Sequence, residues 1–539
     1  MAESFDYVIV GAGTAGSLLA HRLSDDDRNT VCVLEAGPTD LNPYIRIPAG
    51  FTKTIYDPSI TWQFDTAANP AINNRSIRIT QGRTLGGSSA INGMVYNRGH
   101  ASDYDVWAQL GNRGWSYEDI LPYYRRTERF VGDGDGRFRG QSGRLIVSVP
   151  KWDHPLVDAL LESAVQIGIA RNSDYNGAEY GGAGRYQGTI DRGRRVSAAH
   201  AYLHPASRRN SVSVRTNVLV TRIVIENKRA SGVLYTRGAA KADSRQLLVA
   251  ARKGVIVSAG AVNSPKLLQL SGIGPEALLR EIGIEPVHVL EGVGANLHDH
   301  YGTRIVSRVK NTDSINTRVK GLRLGWEVAK WLVGRQSVIG LGPAIVHAFG
   351  KANPASELPE FVLLCTPASF KPGYSALDDN PGITIGAYPM RPESEGSVRI
   401  ASKDPAVPPV LQPNYLTHEA DQLIAVAAAK AARRLMAAPA MQRYFDSELA
   451  PGYGVQTDAE WLDFVRNNGL SSFHLTGTCK MGLGSDRRAV VDHRLRVHGL
   501  DALFVVDASI MPRPTSSNTC APTLMIAEKA ADMLLDGAS

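Results

Sequence analysis

Cysteine is scarce: the chain of 539 residues has four, Cys32, Cys365, Cys479 and Cys520. They are scattered and form no C-x-x-C pair. That excludes a disulfide framework and a thiolate metal centre, so no metal is expected, and it suits a reducing compartment. Long apolar runs are also lacking, so no membrane-spanning helix is expected. The opening Met-Ala-Glu-Ser-Phe-Asp has neither the basic nor the apolar region of a secretory signal. The expected location is the cytoplasm, with peripheral contact at the inner face of the membrane as the alternative. Internal repeats and low-complexity tracts are absent, which excludes a repeat architecture. Net charge is +7, but basic clusters such as Arg192, Arg194 and Arg195 are not interleaved with aromatics. Nucleic acid is therefore not an expected partner. Hydrophobic residues at 43% and charged residues at 21% suit a globular enzyme. The length exceeds one compact core, so two domains are expected.

What the chain does have stands first in it. Tyr7 to Val10 is an apolar run that reads as a buried strand. Gly11, Gly13 and Gly16 then spell G-x-G-x-x-G, and Leu18, Leu19, Ala20 and Leu23 fit a helix packed on a sheet. Gly11 permits the turn, Gly13 lets a pyrophosphate approach the backbone, and Gly16 lets helix and strand pack closely. The helix N-terminus faces the phosphates with its N–H groups. Glu35 closes a second strand, Val31 to Leu34, where a carboxylate can accept from both ribose hydroxyls. This order of strand, glycines, helix and acid predicts a dinucleotide site. An acid at position 35 disfavours NADP; the stretch does not separate NAD from FAD.

Further along, Gly86-Gly87-Ser88-Ser89 gives a donor-rich backbone before a predicted helix, either a second cofactor segment or a turn feeding the core. Leu145 to Val149 reads as a strand and Leu156 to Ile167 as a helix. Val212 to Glu226 reads as one strand, paired with Gly232 to Thr236 as an antiparallel ribbon. Leu247 to Ala250 and Gly254 to Ser258 read as two strands. Pro265 is placed near a helix start and Gly272 at its end. Gly382 to Ala387 and Gly396 to Ile400 are strand-like. Glu419 to Met436 is a long alanine-rich helix. Leu503 to Ala508 returns to a buried parallel strand, and Pro522 to Leu535 follows as an amphipathic helix. The chain thus begins and ends in one α/β unit with other material inserted. Arg318 to Val333 has helical apolar spacing with a narrow polar stripe. It is expected to be buried in the inserted material, the alternative being a helix lying on a membrane near a quinone pool.

Two longer stretches resemble a known family. Gly82 through Asp105 fits one signature, and Gly260-Ala261 through Ser264-Pro265 to Gly274 fits a second. With the N-terminal motif, the chain resembles the glucose-methanol-choline (GMC) oxidoreductases over essentially all its length. The likeness through Gly86 to Met94 and Asn97-Arg98-Gly99 is to the choline and sorbose dehydrogenase branch. The resemblance implies FAD and an α/β fold: a Rossmann-like FAD-binding domain with a discontinuous α+β substrate-binding domain built on an antiparallel sheet. The expected boundaries are 1–100, 205–300 and 480–539 for the first, and 101–204 and 301–479 for the second. By motif position, Gly11, Gly13, Gly16, Glu35 and Ala36 would hold the ADP half. Gly86, Gly87, Asn92, Gly93 and Val95 would line the pyrophosphate and isoalloxazine side. Val218 would meet the adenine, Asp507 and Ala508 the ribityl and pyrophosphate region, and Thr519 would also bind the cofactor. Ile91 stands where some members carry a flavin-linking histidine, which implies non-covalent FAD.

The resemblance also implies a catalytic pair. His474, in Ser472-Phe473-His474-Leu475-Thr476-Gly477, would be the base, although members usually carry proline where Leu475 stands. Asn518, in Ser516-Ser517-Asn518-Thr519-Cys520, would be its partner, with Cys520 replacing a common asparagine. His298 and His300 are expected to be structural hydrogen-bonding residues. Oxidising an alcohol removes a hydroxyl proton and a hydride, and a neutral imidazole suits the first task near pH 7. A neighbouring amide can hydrogen-bond the oxygen as charge builds on it. The expected activity is oxidation of a small alcohol to an aldehyde or ketone by hydride transfer to flavin N5, with a quinone-type electron acceptor. Alternatives are an oxidase that reduces oxygen to hydrogen peroxide, a hydroxynitrile lyase-like protein that keeps FAD without redox use, a photodecarboxylase, and a non-enzymatic flavin carrier.

Overall fold

A computed structural model describes residues 3–25, 28–238, 245–371 and 376–536. Two seven-stranded sheets organise the chain. The first begins with Glu3–Val10, whose valine and isoleucine side chains are fully buried. It runs parallel to Val31–Leu34 on one side and to Leu247–Val257 on the other. Val212–Arg215 extends the parallel set beside Val31–Leu34, and Leu503–Val505 joins beside Leu247–Val257. The strand after Gly11–Gly16 is reached through the helix Thr14–Leu23, as a right-handed crossover requires. An antiparallel ribbon, Val218–Glu226 with Arg229–Arg237, is hydrogen-bonded to the start of Leu247–Val257.

The second sheet is antiparallel throughout, in the order Phe445–Ala450, Tyr301–Val309, Gly382–Pro389, Phe361–Thr366, Val346–Gly350, Gly182–Arg185. Its side chains alternate, as a pleat dictates. Ile305, Leu363, Cys365, Ile383 and Ile385 pack under the helix Glu419–Ala437. Ala425, Ala428, Ala429 and Ala432 of that helix are buried against them, and their small side chains let it lie close to the sheet. The intervening residues Arg304, Val306, Leu364, Thr366, Thr384, Gly386 and Tyr388 face a large cavity.

Several local expectations are corrected. Val212 to Glu226 is two strands: Asn217 adopts a left-handed φ of 55° and moves the chain from the parallel edge into the ribbon. The two strands expected between 247 and 258 are one, Leu247–Val257, because its two halves have different partners along one edge. Pro265 lies inside the helix Gly260–Leu270, not at its start. The carbonyl of Ala261, which a proline cannot satisfy, accepts a hydrogen bond from Thr478 Oγ1 at 2.7 Å. No helix follows Gly86-Gly87; a single 3₁₀ turn, Gly87–Ala90, does. The last helix, Cys520–Asp536, is buried nearly all round because it lies between Thr14–Leu23 and Tyr117–Thr127, and its Glu528 meets Arg22 and Arg126. The segment from Arg318 to Val333 is not buried. It breaks into Ile315–Arg318 and Gly321–Leu332, and the second helix exposes its apolar side while Glu327 is buried. Arg195, read from sequence as part of a basic cluster, is fully buried.

Candidate active site

The cavity has a volume of about 1930 Å³ and is walled by both sheets. Its lining includes Gly11, Gly13, Glu35, Ala36, Gly87, Asn92, Gly93, Val95, Val218, Asp507, Ala508 and Thr519, together with His474 and Asn518. Gly16 and Gly86 are not on its wall. A Cβ on Gly16 would stand 1.9 Å from the Gly11 carbonyl oxygen, so its role is close packing of helix on strand. Gly86 turns the chain at φ 86° and donates its N–H to Ala12 O at 2.8 Å. Those contacts bring the two glycine motifs together: a Cβ on Gly87 would lie 2.7 Å from Gly13 Cα. A Cβ on Gly13 would meet nothing nearer than 3.9 Å. The backbone there is open to a bulky phosphate group, the use a dinucleotide motif predicts.

Glu35 is 6% exposed and its two carboxylate oxygens accept from Ala12 N–H (2.9 Å) and Gly37 N–H (2.8 Å). Burial pushes its pKa up to about 7, against the pull of those N–H groups. Each oxygen keeps a lone pair for a ribose hydroxyl. Replacing Glu35 by glutamine should weaken FAD binding roughly 10–100-fold, the loss of two charge-assisted hydrogen bonds. Fluorescence titration of apoprotein with FAD measures this, and an unchanged affinity would remove Glu35 from the site. Asp507, also on the cavity wall, has a second set of contacts. Its side chain accepts from Gly260 N–H (2.8 Å), Ser264 Oγ (2.6 Å) and Ser509 N–H (2.8 Å), so it fixes the second signature against the strand end.

Ile91 packs with Ile45, Ile60 and Ala90 in a small apolar cluster. It offers no nucleophile for a flavin bond. Heat or acid precipitation of the holoprotein should leave all its yellow colour in the supernatant as free FAD. Colour carried down with the pellet would contradict this.

His474 and Asn518 are brought together by two loops, each tied to a buried carboxylate. Asp299 accepts from Ser471 Oγ (2.5 Å), Tyr415 OH (2.6 Å) and the backbone N–H of His474 (2.8 Å). Burial raises its pKa to about 6, and these donors pull it the other way. Phe473, just before the histidine, holds a left-handed φ of 61°, an uncommon conformation for an aromatic residue, and its N–H is bound by Ser471 Oγ at 2.8 Å. On the other loop, Asp103 accepts from the N–H (2.8 Å) and Oγ (2.6 Å) of Ser516 and from Arg391 Nε (2.7 Å). Sequence reasoning missed Asp299 and Asp103. Asp299 stands between His298 and His300, and Asp103 lies in the first signature, but nothing in a sequence says which carboxylate anchors which loop.

His474 Nε2 lies 3.0 Å from Asn518 Nδ2, and its Nδ1 lies 2.9 Å from His300 Nδ1. His300 Nε2 is 2.8 Å from the Met390 carbonyl oxygen. That carbonyl can only accept, so His300 carries its proton on Nε2 and its Nδ1 is an acceptor. His474 must then donate from Nδ1, which leaves its Nε2 as a free lone pair directed at Asn518 N–H. Burial, with His300 beside it, holds the His474 pKa well below the usual histidine value; burial takes His300 down to about 4. At neutral pH the pair presents one basic nitrogen and one amide donor. His300 is thus a hydrogen-bonding residue as expected. His298 bonds through its backbone, which exchanges two hydrogen bonds with Thr476, while its ring nitrogens find no partner among the described residues and burial depresses its pKa to about 4.

Leu475, where the family usually has proline, is 3% exposed and packs with Phe64, Ala261, Leu297 and Val398. Arg195 donates to Ile45 O (2.9 Å), Ser89 O (3.2 Å) and Asn92 Oδ1 (2.7 Å), bracing the cavity wall from behind. Cys520 opens the last helix, and burial raises its thiol pKa to about 11.

A dinucleotide fold is joined to an antiparallel sheet, with His474 and Asn518 on the cavity wall between them. The chain belongs to the GMC oxidoreductase family, whose N-terminal model matches residues 5–302 and whose C-terminal model matches residues 392–527. It is 39% identical to the oxygen-dependent choline dehydrogenase of Brucella anthropi over 98% of this chain and 95% of the relative. To that of Sinorhizobium fredii it is 40% identical with the same coverage. Among solved structures it is similar to pyridoxine 4-oxidase from Mesorbium loti (TM-score 0.87, 31% identity, 98% of both chains). It is also similar to a formate oxidase (TM-score 0.92, 25% identity, 99% of both chains). The protein is an FAD-dependent oxidoreductase acting on CH–OH donors.

Proposed function

We propose that the protein oxidises a small, uncharged alcohol to an aldehyde or ketone, with His474 as the general base and Asn518 as the oxygen-binding donor. The observation that carries this is the His474 Nε2 lone pair facing Asn518 Nδ2 at 3.0 Å on the wall of the cavity. Bound FAD supplies the hydride acceptor at flavin N5. His474 Nε2 takes the hydroxyl proton, and Asn518 Nδ2–H hydrogen-bonds the oxygen as it gains charge. His300 keeps the His474 proton on Nδ1, so the base is in the right tautomer before substrate arrives. The cofactor residues named by motif position are proposed in the roles given them, Gly16 and Gly86 acting through packing.

The charge on the lining favours an uncharged substrate over a quaternary ammonium such as choline. The wall carries eight Lys and Arg side chains, among them Arg304, Arg308 and Lys320, against three carboxylates, Glu35, Asp378 and Asp507. Glu35 and Asp507 accept from backbone N–H groups, and Asp299 and Asp103, which stand behind His474 and Asn518, are occupied by the donors of their own loops. Anaerobic bleaching of the flavin by a panel of alcohols tests both points. Uncharged alcohols should bleach it faster than choline; no bleaching by any alcohol would favour the lyase-like reading.

For the second half-reaction a quinone-type acceptor is proposed, supported by the exposed apolar rim of the cavity described below. The Brucella and Sinorhizobium relatives are oxygen-dependent choline dehydrogenases, which favours oxygen instead. Admitting air, or a soluble quinone, to the bleached enzyme separates the two by rate. The division 1–100, 205–300, 480–539 against 101–204, 301–479 is proposed as the domain boundary; every strand of the first sheet falls in the first set and every strand of the second sheet in the second.

A further inference from the structure

We propose that the helix Gly321–Leu332 docks the enzyme on an anionic lipid bilayer, with the mouth of the cavity turned toward the lipid. The helix is mounted with its polarity reversed. Glu327, in its middle, is buried and accepts from Ser337 Oγ (2.8 Å), Val338 N–H (3.1 Å) and Lys330 Nζ (2.6 Å). Its polar stripe therefore fastens it to the body, and its apolar stripe faces out. Leu322 is 96% exposed, Trp326 63%, Leu332 61% and Val333 72%. A contiguous apolar face of this kind on a globular protein marks an interaction surface.

Charge selects the occupant. Of the five cations between Ile315 and Arg335, Arg318, Lys320 and Lys330 pair with Asp313, Asp379 and Glu327, which leaves Arg323 and Arg335 to face headgroups. Trp331 Nε1 donates to Gly193 O at 2.6 Å, and Arg194 stands over its ring at 5.2 Å, which adds a further cation at the flank. Apolar side chains bordered by cations match the interfacial zone of a bilayer with anionic headgroups. A second copy fits poorly, because two-fold pairing of this face would set like charges against each other. Among the described residues no helix is long and apolar enough to cross a membrane, so the contact lies in the plane of the surface.

The position gives the contact a consequence. Leu324 and Val328 of this helix line the cavity, as do Lys53 and Tyr56 on a second segment. Tyr44 and Tyr56 there are 47% and 59% exposed. Docking on these two lips opens the site to molecules dissolved in the membrane.

The test is flotation of the purified holoenzyme with vesicles of phosphatidylcholine alone or mixed with phosphatidylglycerol. Binding should require phosphatidylglycerol and weaken at high salt. The triple variant Leu322→Ser, Trp326→Ser, Leu332→Ser should bind at least roughly tenfold more weakly while keeping its FAD spectrum, since these side chains are already in solvent. Arg323→Glu with Arg335→Glu should also abolish the phosphatidylglycerol dependence, and serves if the triple variant misfolds. No flotation at low salt, or equal flotation of both variants, would overturn the proposal. So would a solution dimer that the triple variant disperses, since the face would then pair two copies.

Discussion

His474→Ala should slow anaerobic flavin reduction by saturating alcohol by roughly 10²–10⁴-fold, the usual share of a positioned general base. The alanine variant should still hold FAD, because the anchoring of the loop is through the His474 backbone N–H to Asp299 and through Ser471, none of which the substitution removes. The pH profile makes the test specific. A base works only when neutral, so the wild-type rate falls as pH drops through its pKa. Burial and His300 depress that pKa well below 6.5, which moves the ascending limb to the acid side. The wild-type rate should therefore be level from about pH 6.5 to 8 and decline below that range. The variant should be slow and level throughout. Stopped-flow reduction at several pH values, with flavin content measured first, gives the answer. A wild-type rate and limb in His474→Ala would move the base elsewhere, and His300 would be the next residue to examine.

Much of this site was legible in the sequence because its chemistry is carried by short local patterns. Gly11, Gly13 and Glu35 announce a phosphate and a ribose through spacing alone, and they line the cavity. His474 and Asn518 are implied only by the family resemblance of two motifs far apart in the chain, and the structure sets them 3.0 Å apart. The parts that were not legible depend on partners distant in sequence. The His300–His474 bond spans both strands and loops of the second sheet, and only that contact fixes which imidazole nitrogen is free. Pro265 was misplaced because Thr478, more than two hundred residues away, caps the carbonyl that the proline abandons. The helix Gly321–Leu332 shows a deeper ambiguity. Apolar periodicity reports that a helix has two faces, but it does not say which face the body of the protein takes. Here a buried ion pair and hydrogen bonds at Glu327 decide it, and the apolar face is left outside.

Asn518→Ala should cost about 10–10³-fold in the reductive rate, as the loss of one donor to a developing oxyanion does. The loss should appear in the rate at saturating alcohol more than in apparent affinity, because the donor matters most when the oxygen carries charge. Asn518→Asp separates this from a steric effect. It keeps the shape, but it replaces the amide donor next to His474 Nε2 with an acceptor. A carboxylate there would repel the alkoxide and raise the histidine pKa, so the acid limb should shift toward neutral pH and the rate should stay low. The proposed roles put both groups on the one alcohol oxygen, so the double variant His474→Ala, Asn518→Ala should be less impaired than the product of the two single losses. Strict multiplication of the two effects would mean that they serve different atoms, and the shared-oxygen arrangement would have to be given up.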